Sequence, residues 1–333
     1  MALLLTKSLT GPERKDFLKL FESCNLCPRA CGINRMAGGK SGHSGLCRES
    51  DNLRVAHVGP HFGEEPPITG SNGSGTIFFT GCSLGCSFCQ NHQISREGLG
   101  ETISIHGLSG KVFDMIQKYR VHNINLVTPD HFFPYAFQLV TSLRHGGHNL
   151  PVVYNLSGYQ SIDMLRIAED YADIYLPDYK YADPPLSIRL SKCKDYPEVA
   201  LEAIVEMVRQ KGFLDSSGNN QRLAKKGVLV RHLILPGNVD NSLNALTTLF
   251  LEFGPELPVS LMSQYHPLIP QKDKDLNRPL TLDEFNRVYS HTLDLGFTHL
   301  FVQFPDKPSP ERSNLSPFLP DFHMVEPFSV TSQ

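Results

Sequence analysis

Thr76-Ile-Phe-Phe-Thr-Gly-Cys-Ser-Leu-Gly-Cys-Ser-Phe-Cys-Gln-Asn91 joins a short apolar run to a glycine- and serine-rich loop that carries three cysteines. Thr76–Phe79 is β-branched or aromatic throughout, which reads as a buried strand. The loop begins as soon as the strand ends. A cysteine loop at the C-terminal end of a strand is where α/β folds gather their chemistry.

Outward from this join the chain alternates strand-like and helix-like stretches. Further strands are expected at Asn123–Val127, Pro151–Tyr154, Asp173–Leu176, Val228–Leu235, Val259–Met262 and His299–Val302. Helical spacing links Val199, Ala203, Ile204, Met207 and Val208 after Pro197. Thr281 and Glu284 have the spacing of a capping box ahead of Phe285, Val288 and Leu293. Strands separated by helices, without hairpin signals, imply right-handed crossovers and a parallel sheet. The expected class is therefore α/β, a full or partial (β/α) barrel over residues 75–333. Residues 1–74 break the alternation. They are rich in turn formers (Gly38-Gly39, Gly42, Gly45, Pro60, Pro66-Pro67, Gly70) and read as a loop-rich N-terminal module. Asp215 to Lys226 reads as a second polar loop.

Composition narrows the function classes. The chain has 333 residues, 40% of them hydrophobic and 20% charged, in the ordinary globular range. A chain of this size buries roughly three quarters of its unfolded surface, so it needs no disulfides to stay folded. Its net charge of −3 disfavours a dedicated nucleic-acid binder. Val228–Val230 and Leu233–Leu235 are strand-length runs, so no membrane segment is expected. Met1-Ala-Leu-Leu-Leu5 lacks the features of a secretory signal, and Glu13, Asp16 and Glu22 argue against a transit peptide. The expected compartment is the reducing cytoplasm, where clustered cysteines are metal ligands or catalysts.

The 8 cysteines divide into Cys24, Cys27, Cys31 and Cys47; then Cys82, Cys86 and Cys89; then Cys193, read as incidental. Three thiolates on one short loop suit a [4Fe–4S] cluster with one open iron, available to a substrate or cofactor. The bland alternative is a closed zinc site completed by His92. The N-terminal group is C-x-x-C-x-x-x-C followed by Cys47, enough thiols for zinc or a second cluster.

The loop in this position resembles the radical S-adenosylmethionine superfamily, and more narrowly the proteins related to pyruvate formate-lyase activating enzyme. The resemblance rests on Gly73–Cys82, on Cys89–Ser95 and on six further motifs. These are Leu26-Cys-Pro-Arg29, Glu64-Glu-Pro-Pro67, Val153-Tyr-Asn-Leu-Ser-Gly-Tyr159, Tyr175-Leu-Pro-Asp-Tyr-Lys180, Val230-Arg-His-Leu-Ile-Leu-Pro-Gly237 and Met262-Ser-Gln-Tyr-His-Pro267. It implies a radical SAM-type barrel, a [4Fe–4S] cluster on Cys82, Cys86 and Cys89, and S-adenosyl-L-methionine on the open iron. Reductive cleavage to a 5′-deoxyadenosyl radical, for hydrogen abstraction, would follow. An electron donor such as flavodoxin or ferredoxin is implied, and a glycyl-radical protein is the implied substrate of an activase. The contrasting class is a non-enzymatic iron–sulfur or zinc protein that senses redox state or carries electrons.

The resemblance also assigns cofactor contacts. Phe88 matches the aromatic beside the adenine, and Asn155 and Ser157 match polar groups against the methionyl or ribose part. Asp178 and Lys180 match an Asp-x-Lys element; two apart on a strand, they share a face and can act on one ligand or pair with each other. Arg231 lies in an apolar run and needs a partner, either the cofactor carboxylate or a wall Asp or Glu. His266 is a candidate cofactor contact, acid or base. The Gly-Gly-Glu usual after the second strand is absent; Leu126-Val-Thr-Pro-Asp130 stands there, with Thr128 as the substitute. No catalytic side chain beyond the cluster ligands is assigned.

Overall fold

Alternation of side chains along each strand determines this molecule: one face packs against helices, and the other faces a barrel interior. The computed structural model describes residues 17–36, 45–215, 222–305 and 319–328. The Met1–Leu5 start, Glu13, Asp16, the turns at Gly38-Gly39 and Gly42, and residues 216–221 of the polar loop lie outside the described residues.

The strands are β1 (Arg54–His61), β2 (Ser74–Phe79), β3 (Glu101–Thr102), β4 (Ile124–Val127), β5 (Val152–Leu156), β6 (Ile174–Pro177), β7 (Gly227–Val228), β8 (Val230–Leu233), β9 (Val259–Met262) and β10 (Leu300–Val302). The helices are α1 (Pro66–Thr69), α2 (His92–Ser95), α3 (Ile105–Tyr119), α4 (Phe133–His145), α5 (Ile162–Ala168), α6 (Pro184–Ser191), α7 (Tyr196–Lys211), α8 (Val239–Phe253) and α9 (Leu282–Leu295). One sheet runs β3-β1-β2-β4-β5-β6-β7 and a second runs β10-β9-β8. From β2 through β7, and from β8 through β10, every pairing is parallel. A bridge between Asp178 and Arg231 carries the series from one sheet to the other. The result is a partial β/α barrel, and each of the seven strands expected from the sequence is present.

Two strand readings change. Val228–Leu235 breaks at Leu229, because its first residues pair with β6 and its later ones with β9. Arg54–His61, inside the stretch read as loop-rich, is a strand antiparallel to β2. Gly59 and Pro60 mask it in the sequence. β3 covers only Arg54 and Val55, so Pro60 sits on an uncovered edge where its missing donor is harmless.

The interior face changes chemistry along each strand. Val153, Ile174, Leu176 and Leu229 form an apolar floor with Ile68 of α1. Two residues further on, Asn155, Asp178 and Arg231 face the cavity above it. On the outer faces, Tyr154, Tyr175, Val228 and Val230 belong to the main core shared with the helices. The Thr281–Glu284 capping box is formed at α9, and α7 contains the helical spacing after Pro197. No helix among the described residues is long and apolar enough to cross a membrane.

Candidate functional site

A cavity of about 650 Å³ opens at the C-terminal ends of the parallel strands. Cys82, Cys86 and Cys89 line it, as do all eight residues assigned to the cofactor: Phe88, Thr128, Asn155, Ser157, Asp178, Lys180, Arg231 and His266. Several hundred ångströms cubed is the size of a small-molecule site.

The cysteine loop needs its glycines. Gly81 has φ +84°, and a Cβ there would meet Glu49 Cγ at 2.6 Å and the Cys47 carbonyl at 2.8 Å. Gly85 has φ +67° with only Leu46 nearby, so conformation, not space, requires glycine there. The Leu84 amide donates to Cys82 Sγ at 3.4 Å, the Ser191 hydroxyl to Cys86 Sγ at 3.1 Å, and the Ser95 hydroxyl to Cys89 Sγ at 3.3 Å. Burial, reinforced by the neighbouring thiols, pushes Cys82 and Cys89 above the usual thiol range. Metal ligation needs the thiolate, so binding iron here would release protons.

The donor set fits an iron–sulfur cluster, with three thiols of one loop on the wall of one cavity. His92, the fourth ligand of the zinc alternative, pairs through Nδ1 with Glu97 at 2.8 Å, an arrangement that leaves Nε2 available. A cubane distributes its thiolates over several irons and asks only that three thiols face one space, as these do. The wall also carries buried polar atoms without partners: Ser157 Oγ, Asn91 Oδ1 and His61 Nδ1. Orphaned polar atoms on a cavity wall are open positions for a ligand.

Thr128 is strained. It sits at φ +54°, which a β-branched residue ahead of a proline rarely adopts. Its amide bonds the Asn155 carbonyl at 2.9 Å, which holds it at the cavity edge. Phe88 lies 6.2 Å from Tyr265 and 6.4 Å from Tyr181 between ring centroids. His266 is exposed at the rim.

Asp178 and Lys180 face the cavity together and form an ion pair with each other. Against the desolvation of burial, Asp178 keeps the Lys180 ammonium charged. The Lys180 amide donates to the Tyr196 hydroxyl, which lies 2.9 Å from the carbonyls of both Ser157 and Asp178. Tyr196 thus ties the ends of β5 and β6. No sequence signal singled it out, since Tyr196 opens α7 and its partners lie just past β5 and β6.

Arg231 has protein partners. Its Nε donates to Glu65 Oε1 at 2.8 Å, and its Nη2 bonds both Glu64 and Glu65. The wall-carboxylate pairing is therefore the geometry found, with Nε and Nη2 of the guanidinium engaged by Glu64 and Glu65. Asn125 Nδ2 holds Glu64 at 2.9 Å. Although burial opposes it, Arg231 keeps Glu65 below its usual range.

The N-terminal cysteines lie beside this site. Burial and then Asp130 push Cys27 up to about 12, and Asp130 acts likewise on Cys82. Asp130 is itself buried and accepts from the Ser83 hydroxyl. Cys24 accepts from Arg35 Nη1 at 3.7 Å. A Cβ on Gly45 would lie 3.1 Å from Cys31 Sγ and 3.9 Å from Cys47 Sγ. Arg29 crosses to the barrel, donating to the carbonyls of Ser83, Ser191 and Lys192. Cys193, read as incidental, is buried beside Asp195.

Two buried histidines make stability depend on pH. His131 Nε2 donates to the Thr80 carbonyl at 2.6 Å, and burial, then Arg35, push its imidazole down to about 3. His232 Nδ1 donates to the Tyr179 carbonyl while Nε2 accepts from Ser242, and burial pushes it down to about 4. Unfolded histidines titrate near 6.5, so below that pH the unfolded chain binds protons that the folded chain refuses. Stability should therefore fall on acidification, by about 2 kcal/mol per imidazole from pH 6.5 to 5. Urea midpoints across this range check it; a His232→Gln variant whose pH dependence matches wild type would show that His232 contributes none of the loss.

Comparison with known proteins gives partial likenesses. No family model matches the chain. The uncharacterized protein MJ0674 of Methanocaldococcus jannaschii is 27% identical over 274 residues, covering 80% of this chain and 73% of that protein. Among solved structures, SuiB of Streptococcus suis bound to S-adenosylmethionine matches 67% of this chain and 48% of its own, with TM-score 0.45 and 9% identity. HydG, a maturase of the [FeFe]-hydrogenase, matches 69% and 51%, with TM-score 0.47 and 11% identity. Methylornithine synthase (PylB) matches 66% and 67%, with TM-score 0.40 and 14% identity. The chain spans about half the length of the SuiB and HydG chains it matches.

Proposed function

We propose that this chain is a radical S-adenosylmethionine enzyme, an oxidoreductase in the broad sense, acting in the reducing cytoplasm. One observation carries the reading: three thiols of a single loop face the same cavity as the polar groups at the ends of β4, β5, β6 and β8. A [4Fe–4S] cluster and S-adenosylmethionine bound there would supply reductive cleavage to methionine and a 5′-deoxyadenosyl radical for hydrogen abstraction. The chain's own residues would bind and orient the cofactor. Ser157 and Asn91 offer unpartnered polar atoms, Thr128 and Asn155 line the β4–β5 edge, and Phe88 offers a flat apolar face. With Arg231 held by Glu64 and Glu65, the Asp178–Lys180 pair is the charged couple of this group best placed to meet the cofactor. The barrel walls would exclude water from the reacting atoms.

Beyond that chemistry, we read the chain as an activase that takes hydrogen from a glycine of a partner protein, with flavodoxin or ferredoxin supplying the electron. The four N-terminal thiols are read as a separate site for zinc or a second cluster. Anaerobically reduced protein given S-adenosylmethionine should release 5′-deoxyadenosine. A loaded cluster that releases none would instead favour a redox sensor or electron carrier. Anaerobic co-purification with a glycyl-radical protein tests the activase reading.

A further inference from the structure

The C-terminal end of α6 is built around the cysteine loop in a way that binding alone does not require. Ser191 is the last residue of α6, followed by Lys192 at φ +50°, and it is only 1% exposed. Its hydroxyl donates to Cys86 Sγ at 3.1 Å, closer than the Ser95 and Leu84 donors approach their own sulfurs. Tyr181, fully buried, lies 2.6 Å from the same hydroxyl. Serine has one proton, so if Ser191 gives it to the sulfur, Tyr181 is the donor to Ser191. The two hydroxyls form a relay aimed at one thiol and shielded from water.

The surroundings isolate that hydrogen bond. A helix C-terminus presents carbonyls whose partial negative charge opposes added electron density nearby. Here those carbonyls already have donors: Leu190 accepts from the Ser87 amide at 2.8 Å, Ser191 from Arg29 Nη2 at 3.1 Å, and Lys192 from Arg29 Nη1 at 2.8 Å. The hydroxyl therefore dominates what α6 presents to Cys86. A donated bond favours the more negative, reduced form of a cluster and raises its potential. Low local dielectric strengthens the effect.

We propose that Ser191, anchored by Tyr181, is a positioning residue that raises the reduction potential of the cluster held by Cys82, Cys86 and Cys89. The inference rests on the cluster reading above.

The test is potentiometric titration of the anaerobically reconstituted protein, followed by electron paramagnetic resonance, with iron content measured on each sample. Ser191→Ala should keep its iron and lower the midpoint. At the wild-type midpoint the reduced fraction relative to oxidised should fall about tenfold, which is about 59 mV for one electron. Tyr181→Phe should shift it in the same direction by less, and Ser191→Thr, which keeps the hydroxyl, should restore it. Full iron with an unchanged midpoint in Ser191→Ala overturns the proposal. If that variant does not load, an unchanged midpoint in Tyr181→Phe overturns it. A wild-type protein without a cluster, or one whose cluster survives Cys86→Ala, overturns the cluster reading together with this inference.

Discussion

Cys86→Ala is expected to abolish both the loop's iron and the release of 5′-deoxyadenosine, leaving activity at the level of a protein-free control. Each thiol of an open-site cluster is a covalent anchor, and two thiols cannot replace three. The variant should nonetheless fold. Cys86 lies on a loop after β2, and alanine there removes the Ser191 contact and little of the core. Far-ultraviolet circular dichroism should match wild type while the iron–sulfur absorbance is lost. Cys27→Ala should keep both the loop's iron and the cleavage activity, since Cys27 lies outside the cavity lined by Cys82, Cys86 and Cys89. Loss of activity in Cys27→Ala with the loop's iron intact would mean that the two cysteine groups act as one unit.

Arg231→Met is expected to be the most destabilising single change in the barrel wall, at about 3–5 kcal/mol in a denaturant titration. The reason is what remains behind. Glu64 and Glu65 have side chains only 7% and 8% exposed, and both depend on this guanidinium. Without it, two carboxylates face each other in a low-dielectric interior and must take up protons or unfold the wall. The variant should accordingly recover as pH is lowered, because protonation removes the repulsion. Glu65 in the wild type behaves oppositely. Its depressed pKa stabilises the fold above the usual carboxylate range, and that contribution is lost as pH falls through it. Adding Glu64→Gln and Glu65→Gln to Arg231→Met should restore much of the loss. A single variant as stable as wild type would show that the network is solvated rather than buried.

Much of the fold was legible in the chain. The seven parallel-series strands were readable from short β-branched and aromatic runs, and the α9 start from Thr281 and Glu284, because both signals lie within a few residues. β1 was not, since Gly59 and Pro60 look like loop residues until an uncovered edge makes them acceptable. In the site, Asp178 and Lys180 could be placed on one face by counting, as could the three thiols of one loop. The strain at Thr128 could not be read, because a pre-proline threonine has no local reason to take φ +54°.

By itself, the sequence determined the fold class, the strand ends where chemistry collects, and the residue types available there. Those follow from spacing along the chain. Tertiary structure alone decided which of these groups are already engaged. Arg231 meets Glu65 across 166 positions and Ser191 meets Cys86 across 105, distances over which the curl of the sheet, not any local pattern, chooses the partner. A guanidinium whose partner the sequence left open between a cofactor and a wall carboxylate is thereby given Glu64 and Glu65, and a serine with no motif of its own is brought onto a sulfur.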